Sequence, residues 1–320
     1  MKNIIFIGDV ALDEYYKAEY FPQIKEKVGV ETLPAQTGGM IANAAAVYAS
    51  YTDGVEFCGV LNSGAVSKML CEDLNASNVG TRFVMTDNRL ADSKVIIILA
   101  EDEHTVFIPN INVTEIPLTD EAYYALLQAD WVSSNIHEIK FLKYKEKDAH
   151  AIIKEMKANG CQFAFDLDVA DFRPGEREFI KYIDYIFVNE IGFENLNKEL
   201  DDEMGIHSLF ASGAKLLVKT LAENGVEIIQ AGKTIAISGH TVDVVDVTGA
   251  GDTFCSTFVY MLSKTDDYQL AGEFANYAAA RSVMGLGARY GAAGIKEVLQ
   301  FIKEQGGDTE KFALQIDNGA

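Results

Sequence analysis

The run Asp246-Val247-Thr248-Gly249-Ala250-Gly251-Asp252-Thr253-Phe254 lies between two segments of different character. Upstream, Thr241 to Val245 is apolar and β-branched, which predicts a strand; downstream, Phe254 to Leu262 has helical character. The small residues between them predict a strand-to-helix turn, with the Asp252 carboxylate at the start of the helix. Gly249, Ala250 and Gly251 leave the backbone bare, so its N–H groups can approach an anion closely. The helix dipole adds partial positive charge at the same place. A carboxylate beside such a cradle is what phosphoryl transfer to an alcohol needs. The cradle stabilises charge on the moving group, and the carboxylate accepts the hydroxyl proton. This reading requires residues 249 to 251 to be uncovered and the Asp252 side chain to face a cleft.

Two other phosphate-binding patterns are excluded. In a G-x-G-x-x-G loop the sixth residue is glycine, but here it is Phe254, and the loop lies far from the first βαβ unit. A Walker loop needs G-x-x-x-x-G-K-[ST]. Gly232-Lys233-Thr234 is the sole Gly-Lys-Thr, and Glu227 occupies its required first glycine. That triplet separates two strand-like runs and reads as a hairpin turn. The plain alternative for Asp252 is a carboxylate that merely favours a helix start.

Composition narrows the function classes. The 320 residues suffice for one large α/β domain or two smaller ones, and a hydrophobic fraction of 48% with 23% charged residues is ordinary for a globular chain. The formal net charge of −21 and the lack of a Lys/Arg cluster argue against a nucleic-acid partner and an anionic membrane surface. Cys58, Cys71, Cys161 and Cys255 form no C-x-x-C pair, and the histidines lack ligand spacing, which argues against structural zinc or a disulfide framework. Met1 to Ile7 is too short for a signal segment and no apolar run spans a bilayer, so a cytoplasmic location is expected.

Asn3 to Ile7 is a compact apolar run that predicts a buried central strand, with Asp9 and Asp13 at its carboxyl end. Open α/β sheets bind ligands at that end. Gly38-Gly39 opens an alanine-rich helix, Ile41 to Tyr51, with Asn43 in its first turn. Val55 to Val60 predicts a strand and Ala65 to Asn75 a helix. Thr81 to Met85, Lys94 to Ala100 and Thr105 to Ile108 are β-rich, the last two joined by the turn Glu101-Asp102-Glu103. That hairpin and the polar, aromatic segment Tyr15 to Leu33 stand outside simple strand–helix alternation. Together they predict a small sheet over the carboxyl ends of a larger one. From Thr119 onward strands (131–134, 162–166, 185–188, 215–220) alternate with helices (119–128, 145–159, 207–212), which implies right-handed crossovers and a largely parallel sheet. Two helices, Leu270 to Val283 and Ile295 to Gln305, complete the tail.

Asp246 to Asp252 resembles the D-[TV]-x-G-A-G-D signature of the ribokinase-like (PfkB) carbohydrate kinases. Gly38-Gly39-Met40-Ile41-Ala42-Asn43-Ala44-Ala45 is similar to their sugar-binding G-G-x-x-x-N-x-A segment, and Gly8 and Asp13 to their G-[DE]-x-x-x-D opening. The resemblance implies one kinase domain over residues 1–320: a three-layer α/β/α fold with a mostly parallel central sheet and a small β lid, about 14–34 and 88–110. It implies Asp252 as general base, the Gly249-Ala250-Gly251 backbone as anion hole, and Asp13, Gly38, Gly39 and Asn43 as acceptor ligands. It further implies ATP and Mg²⁺ as cosubstrate and metal, and a homodimer through the lid.

On the nucleotide side, Thr220, Ala222 and Gly225 resemble the family's T-x-G-x-x-G loop, with Ala222 in place of the first glycine. Alanine is a small change if that position does not need a positive φ. Asn189 matches the start of the N-x-x-E segment that helps to order magnesium and phosphates, but Gly192 stands where Glu is expected. Asp166-Leu167-Asp168 with Arg173 partly resembles D-x-N-x-R. An arginine there suits a substrate carboxylate or a phosphate, whereas Asp168 and Asp171 suit an acceptor bearing an amine. Gly285 to Gly294 is consistent with a loop closing over adenine. Asp246 and Thr248 resemble residues that hold a monovalent cation such as K⁺ in some relatives, although both are also turn formers. The expected activity is phosphorylation of a sugar, sugar acid or amino-sugar derivative. The alternatives are a nucleoside kinase and a non-catalytic sugar or nucleotide sensor of the same fold.

Overall fold

The computed structural model describes residues 2–101, 103–200 and 205–318. A nine-stranded sheet forms its centre, in the order Lys233–Ser238, Gly225–Gln230, Leu216–Thr220, Tyr185–Val188, Gln162–Asp166, Trp131–Ser134, Ile4–Ile7, Val55–Leu61 and Val79–Thr86. Seven neighbours run parallel, and the hairpin Gly225–Ser238 adds two antiparallel strands at one edge. Alternating side chains feed two cores. Ile4 and Phe6 join one, with the helices Met40–Ala49, Ala250–Leu262 and Tyr268–Ser282; Ile5 and Ile7 join the other, with Asp120–Leu127 and Ala149–Ala158. A period of two along a strand buried on both faces therefore builds the three layers.

The strand Ile4–Ile7 pairs with both Trp131–Ser134 and Val55–Leu61. The chain first winds outward on one side and then on the other, so the strand order reverses here. In open α/β sheets that reversal opens a crevice at the carboxyl ends of the strands. Asp9 follows Ile4–Ile7, Glu138 lies just beyond Trp131–Ser134, and Asp166, Asn189 and Thr220 close their strands at the same edge. Parallel pairing thus gathers these polar groups from distant parts of the chain.

The segments that resist strand–helix alternation form a second, five-stranded sheet. Ala11–Ala18 pairs with Val30–Thr32, with Gln36–Gly38 and, in parallel, with Lys94–Ala100, which continues into Glu103–Phe107. Asp102, in the turn expected between these last two strands, lies outside the described residues. The Gly232 turn is the expected hairpin, and Thr119 caps its helix by accepting from the Ala122 N–H at 3.1 Å.

Some expectations change. Thr241 to Val245 is not a strand: the Val245 and Asp246 N–H groups both bond the Val283 carbonyl, at 2.8 and 3.2 Å, and Val244 and Val245 are exposed. β-branched composition does not make a strand where no sheet edge is offered. The helix expected from Lys145 starts at Ala149, because Asp148 caps it by accepting from the Ala151 N–H at 2.9 Å. Two further helices, Glu190–Glu199 and Glu310–Asn318, are present.

Two backbone positions at the site edge differ from their sequence reading. Ala222 has φ +48°, so the loop after Thr220 does need a left-handed residue there. Gly192 sits in the first turn of Glu190–Glu199, where an added Cβ would stand 1.9 Å from the Asp168 carbonyl oxygen. A glutamate at this position is sterically blocked by backbone. We predict that Ala222→Gly raises stability by about 0.5–1 kcal/mol, read as an increased denaturation midpoint. Gly192→Ala is predicted to lower stability by about 1–3 kcal/mol, because it overpacks the Asp168 loop. An unchanged midpoint in either variant contradicts the backbone account of that position.

Candidate active site

The helix Ala250–Leu262 begins at Gly249, whose φ of +78° is left-handed. An added Cβ there would lie 2.3 Å from the Ala288 carbonyl oxygen, so glycine is required on two counts. The Ala250 N–H is used inside the turn, bonding the Val247 carbonyl at 3.2 Å. Among the described residues the Gly251 and Asp252 N–H groups have no protein acceptor, and Gly251 is exposed. Of the amides expected from the Gly249-Ala250-Gly251 turn, that of Ala250 is thus taken up within the turn, and the open ones at the helix start are those of Gly251 and Asp252.

Asp252 is half-buried beside them and accepts a 2.9 Å hydrogen bond from Asn43 Nδ2. That contact joins residues 209 positions apart, on the first turns of two neighbouring helices. Burial pushes the Asp252 carboxyl well above the usual carboxylate range; Asp166, Asp9 and Asp168 add like-charge repulsion, while the Asn43 amide opposes the rise. A cavity of about 10 Å³, room for one water, lies against Asp252, Asp166, Ser133 and Cys255. Asp166 accepts from the Cys255 thiol at 3.3 Å and from the Asp168 N–H at 2.8 Å, and burial pushes its carboxyl up to about 6.

Asp13 lies on the second sheet, paired with Gln36. An added Cβ on Gly38 would stand 2.1 Å from Asp13 Oδ2, so Gly38 makes room for this carboxylate. Burial raises Asp13 to about 6; the Asp9 charge adds to the rise and the Arg289 cation opposes it. Gly39 has φ +100° and brings the backbone against Asp9, which accepts from the Ile41 N–H at 3.4 Å. Asp13, Gly38, Gly39 and Asn43 are thus linked through direct contacts or immediate chain neighbours to one wall of the site.

Of the residues expected on the nucleotide side, Asn189 and Thr220 lie at the carboxyl ends of adjacent strands, and Gly225 opens the antiparallel strand beside them. Thr220 Oγ donates to the Val188 carbonyl at 3.4 Å, Ala222 is left-handed, and Gly225, with φ +103°, packs where a Cβ would meet the Ile237 carbonyl at 2.0 Å. Asn189 is fully engaged in structure: its Oδ1 accepts from the Gly192 N–H and its Nδ2 donates to Asp168, both at 2.8 Å. Both Asp246 oxygens take backbone donors, from Thr248 and from Gly287, each at 2.9 Å. Asp246 thereby clips the turn before the helix to the 285–294 loop.

Arg173 is exposed, and its charge acts on Glu138, which in turn feels Asp9. Burial raises Glu138 to about 7, with Asp9 adding repulsion. Asp9 and Asp166 had a sequence signal, at the carboxyl ends of predicted strands, whereas Glu138, four residues past one, was not singled out. Arg289 had none: its Nε donates to Asn43 Oδ1 at 3.4 Å across 246 residues.

Residues 1–293 match the pfkB family of carbohydrate kinases. The ribokinase of Bacillus subtilis is 26% identical over 311 residues, spanning 94% of this chain and 100% of that protein. In fold, the chain is similar to the ribokinase of Thermotoga maritima, with a TM-score of 0.80 at 22% identity over 95% of this chain and 100% of that one. It is also similar to the ribokinase of Arabidopsis thaliana solved with ribose and ATP, with a TM-score of 0.78 at 24% identity over 95% and 99% of the two chains. The family match spans the central sheet and both ends of the site, and on that ground the chain belongs to the pfkB family of carbohydrate kinases.

Proposed function

We propose that this carbohydrate kinase transfers the γ-phosphoryl group of ATP to a hydroxyl of a sugar, sugar acid or amino-sugar derivative, with Asp252 as general base. The observation that carries this reading is the position of Asp252: a half-buried carboxylate next to two open helix-start amides and bound to Asn43. The Gly251 and Asp252 amides stabilise charge on the moving group, as preorganised donors do without reorganising. Asn43 and Asp13 orient the acceptor, and the Gly38 and Gly39 backbone lets it approach. The loop Thr220–Gly225 flanks the nucleotide.

Magnesium is held mainly through the nucleotide phosphates on this reading. Among the described residues no group of three His, Cys, Asp or Glu side chains could hold a metal ion, and Asn189 is spent on the Gly192 cap and Asp168. When bound there, the ion neutralises charge on the phosphoryl group. A monovalent cation beside Asp246 and Thr248 is not needed to explain that turn, since two amides already satisfy the Asp246 carboxylate. The smaller sheet is proposed as a lid and dimer surface, supported by the exposed Val106, Phe107 and Ile108 at its edge. Among the described residues no helix is long and apolar enough to cross a membrane. That fits a kinase drawing on cytoplasmic ATP.

Asp252→Asn is expected to lower kcat by roughly 10²–10⁴-fold, since it removes the base, in an ADP-release assay across neutral, acidic and amino sugars. The variant is expected to melt no lower than the parent, because a buried charge is lost and an amide of similar shape replaces it. Turnover near that of the parent would take the base role from Asp252. In the parent, Asp252 must be ionised to act, and its proton affinity is raised. Lowering the pH therefore abolishes kcat/KM at a higher pH than an ordinary carboxylate would, and an acid limb within the ordinary range near 4 contradicts the assignment. Binding of sugar and ATP without ADP formation across the panel would favour the sensor instead.

A further inference from the structure

We propose that Arg289 is a positioning residue that fixes which end of the Asn43 amide faces Asp252. This rests on Asp252 being the base. Arg289 comes from the short 3₁₀ turn Ala288–Gly291, and its side chain is only 15% exposed. It is anchored to Asp73 on the helix Ala65–Ala76 by a salt bridge and to Ser77 Oγ at 3.3 Å. Its Nε donates to Asn43 Oδ1 at 3.4 Å, and Asn43 Nδ2 donates to Asp252 Oδ2 at 2.9 Å. A single run of polar contacts, Asp73–Arg289–Asn43–Asp252, therefore crosses three helices and one loop.

The chemistry of the chain makes it directional. A guanidinium can donate but never accept, so the Asn43 atom facing Arg289 has to be the oxygen. The other end of the amide, a pure donor, is then forced toward Asp252. A donor favours the ionised carboxylate. Without Arg289 the amide is free to turn over and present its oxygen, which bonds only a protonated Asp252. Arg289 thus holds the base in its working protonation state without touching the acceptor.

The groups facing Asp252 act in one direction against this device. Asp9 just past the central strand, Asp166 at the end of the strand two places along the sheet and Asp168 just after it all raise its proton affinity, and the Asn43 amide lowers it. Cys255, one turn along the same helix, is bonded to Asp166, and its thiol stays protonated because burial pushes its pKa up. Arg289 itself faces Asp73 and Asp13. Lysine is a poor replacement, because one ammonium cannot reach Asp73, Ser77 and Asn43 with the fixed fork of a guanidinium.

The test compares Arg289→Met, Asp73→Asn, Asn43→Ala and the Arg289→Met/Asn43→Ala pair in the full chain. Arg289→Met is expected to lower kcat about 10- to 100-fold, the scale of a remotely misplaced catalytic group. It is also expected to move the acid limb of kcat/KM to higher pH. Added to Asn43→Ala, it should cost less than about twofold more, since both changes interrupt one path. Asp73→Asn, which leaves Arg289 present but loosens it, should move the limb the same way by less. A limb that stays in place in both single variants, or losses that multiply in the pair, overturns the proposal. The Asn43 side-chain amide resonances of the unliganded protein supply a readout without turnover. They should shift in Arg289→Met and stay put if Arg289 is merely structural. Failure of Asp252 as the base would appear separately, as retained activity in Asp252→Asn.

Discussion

On the proposed reading Asp252 has to be charged to act as the base, and it is placed where burial favours its neutral form. Asp252 is surrounded by Asp9, Asp166 and Asp168, each of which pushes it further toward protonation. The counterweight is one neutral amide, that of Asn43, delivered from another helix. The packing of Met40–Ala49 against Ala250–Leu262 therefore sets the distance between Asn43 and the proposed base. The same two helices also meet where Ser256 Oγ donates to the Ala44 carbonyl at 2.6 Å, a close approach that alanine permits.

The sequence made the layer architecture legible because the strands carry their own pattern. Asn3 to Ile7, Trp131 to Ser134, Gln162 to Asp166 and Tyr185 to Val188 are short apolar runs between punctuating residues, and each is a strand buried on both faces. The Gly249-Ala250-Gly251-Asp252 turn was legible for a different reason: its first glycine is dictated by close backbone approach at Ala288 and by a left-handed φ, while Gly251 has open space where a Cβ would stand. Thr241 to Val245 misled because strand propensity describes a fit to a neighbour, and the fold offers that segment none. Arg289 was out of reach, because nothing local distinguishes an arginine that will meet Asn43 from one that will meet solvent.

The two departures from the family pattern have opposite physical meanings. Ala222 keeps a backbone shape suited to glycine and carries the steric cost of a Cβ in it. Gly192 has the converse character. The backbone of the Asp168 loop has closed into the space a side chain would need, and Asn189 is drawn into capping the helix and holding Asp168. Glycine at 192 and the close approach of the Asp168 carbonyl therefore go together. The change is built into the surroundings and would not be reversed by restoring one residue.

The chain leaves the central strand at Ile7, passes Asp9, and enters the second sheet at Ala11, with Asp13 two residues further on. One uninterrupted ribbon therefore runs from the rigid middle of the large sheet to the small one, carrying two acidic groups across the join. Rocking of the small sheet would swing Asp13 as a pointer on its own frame while Asp9 stayed with the large one. If the small sheet moves as the proposed lid, the spacing between these two carboxylates reports how far it has folded toward the large one.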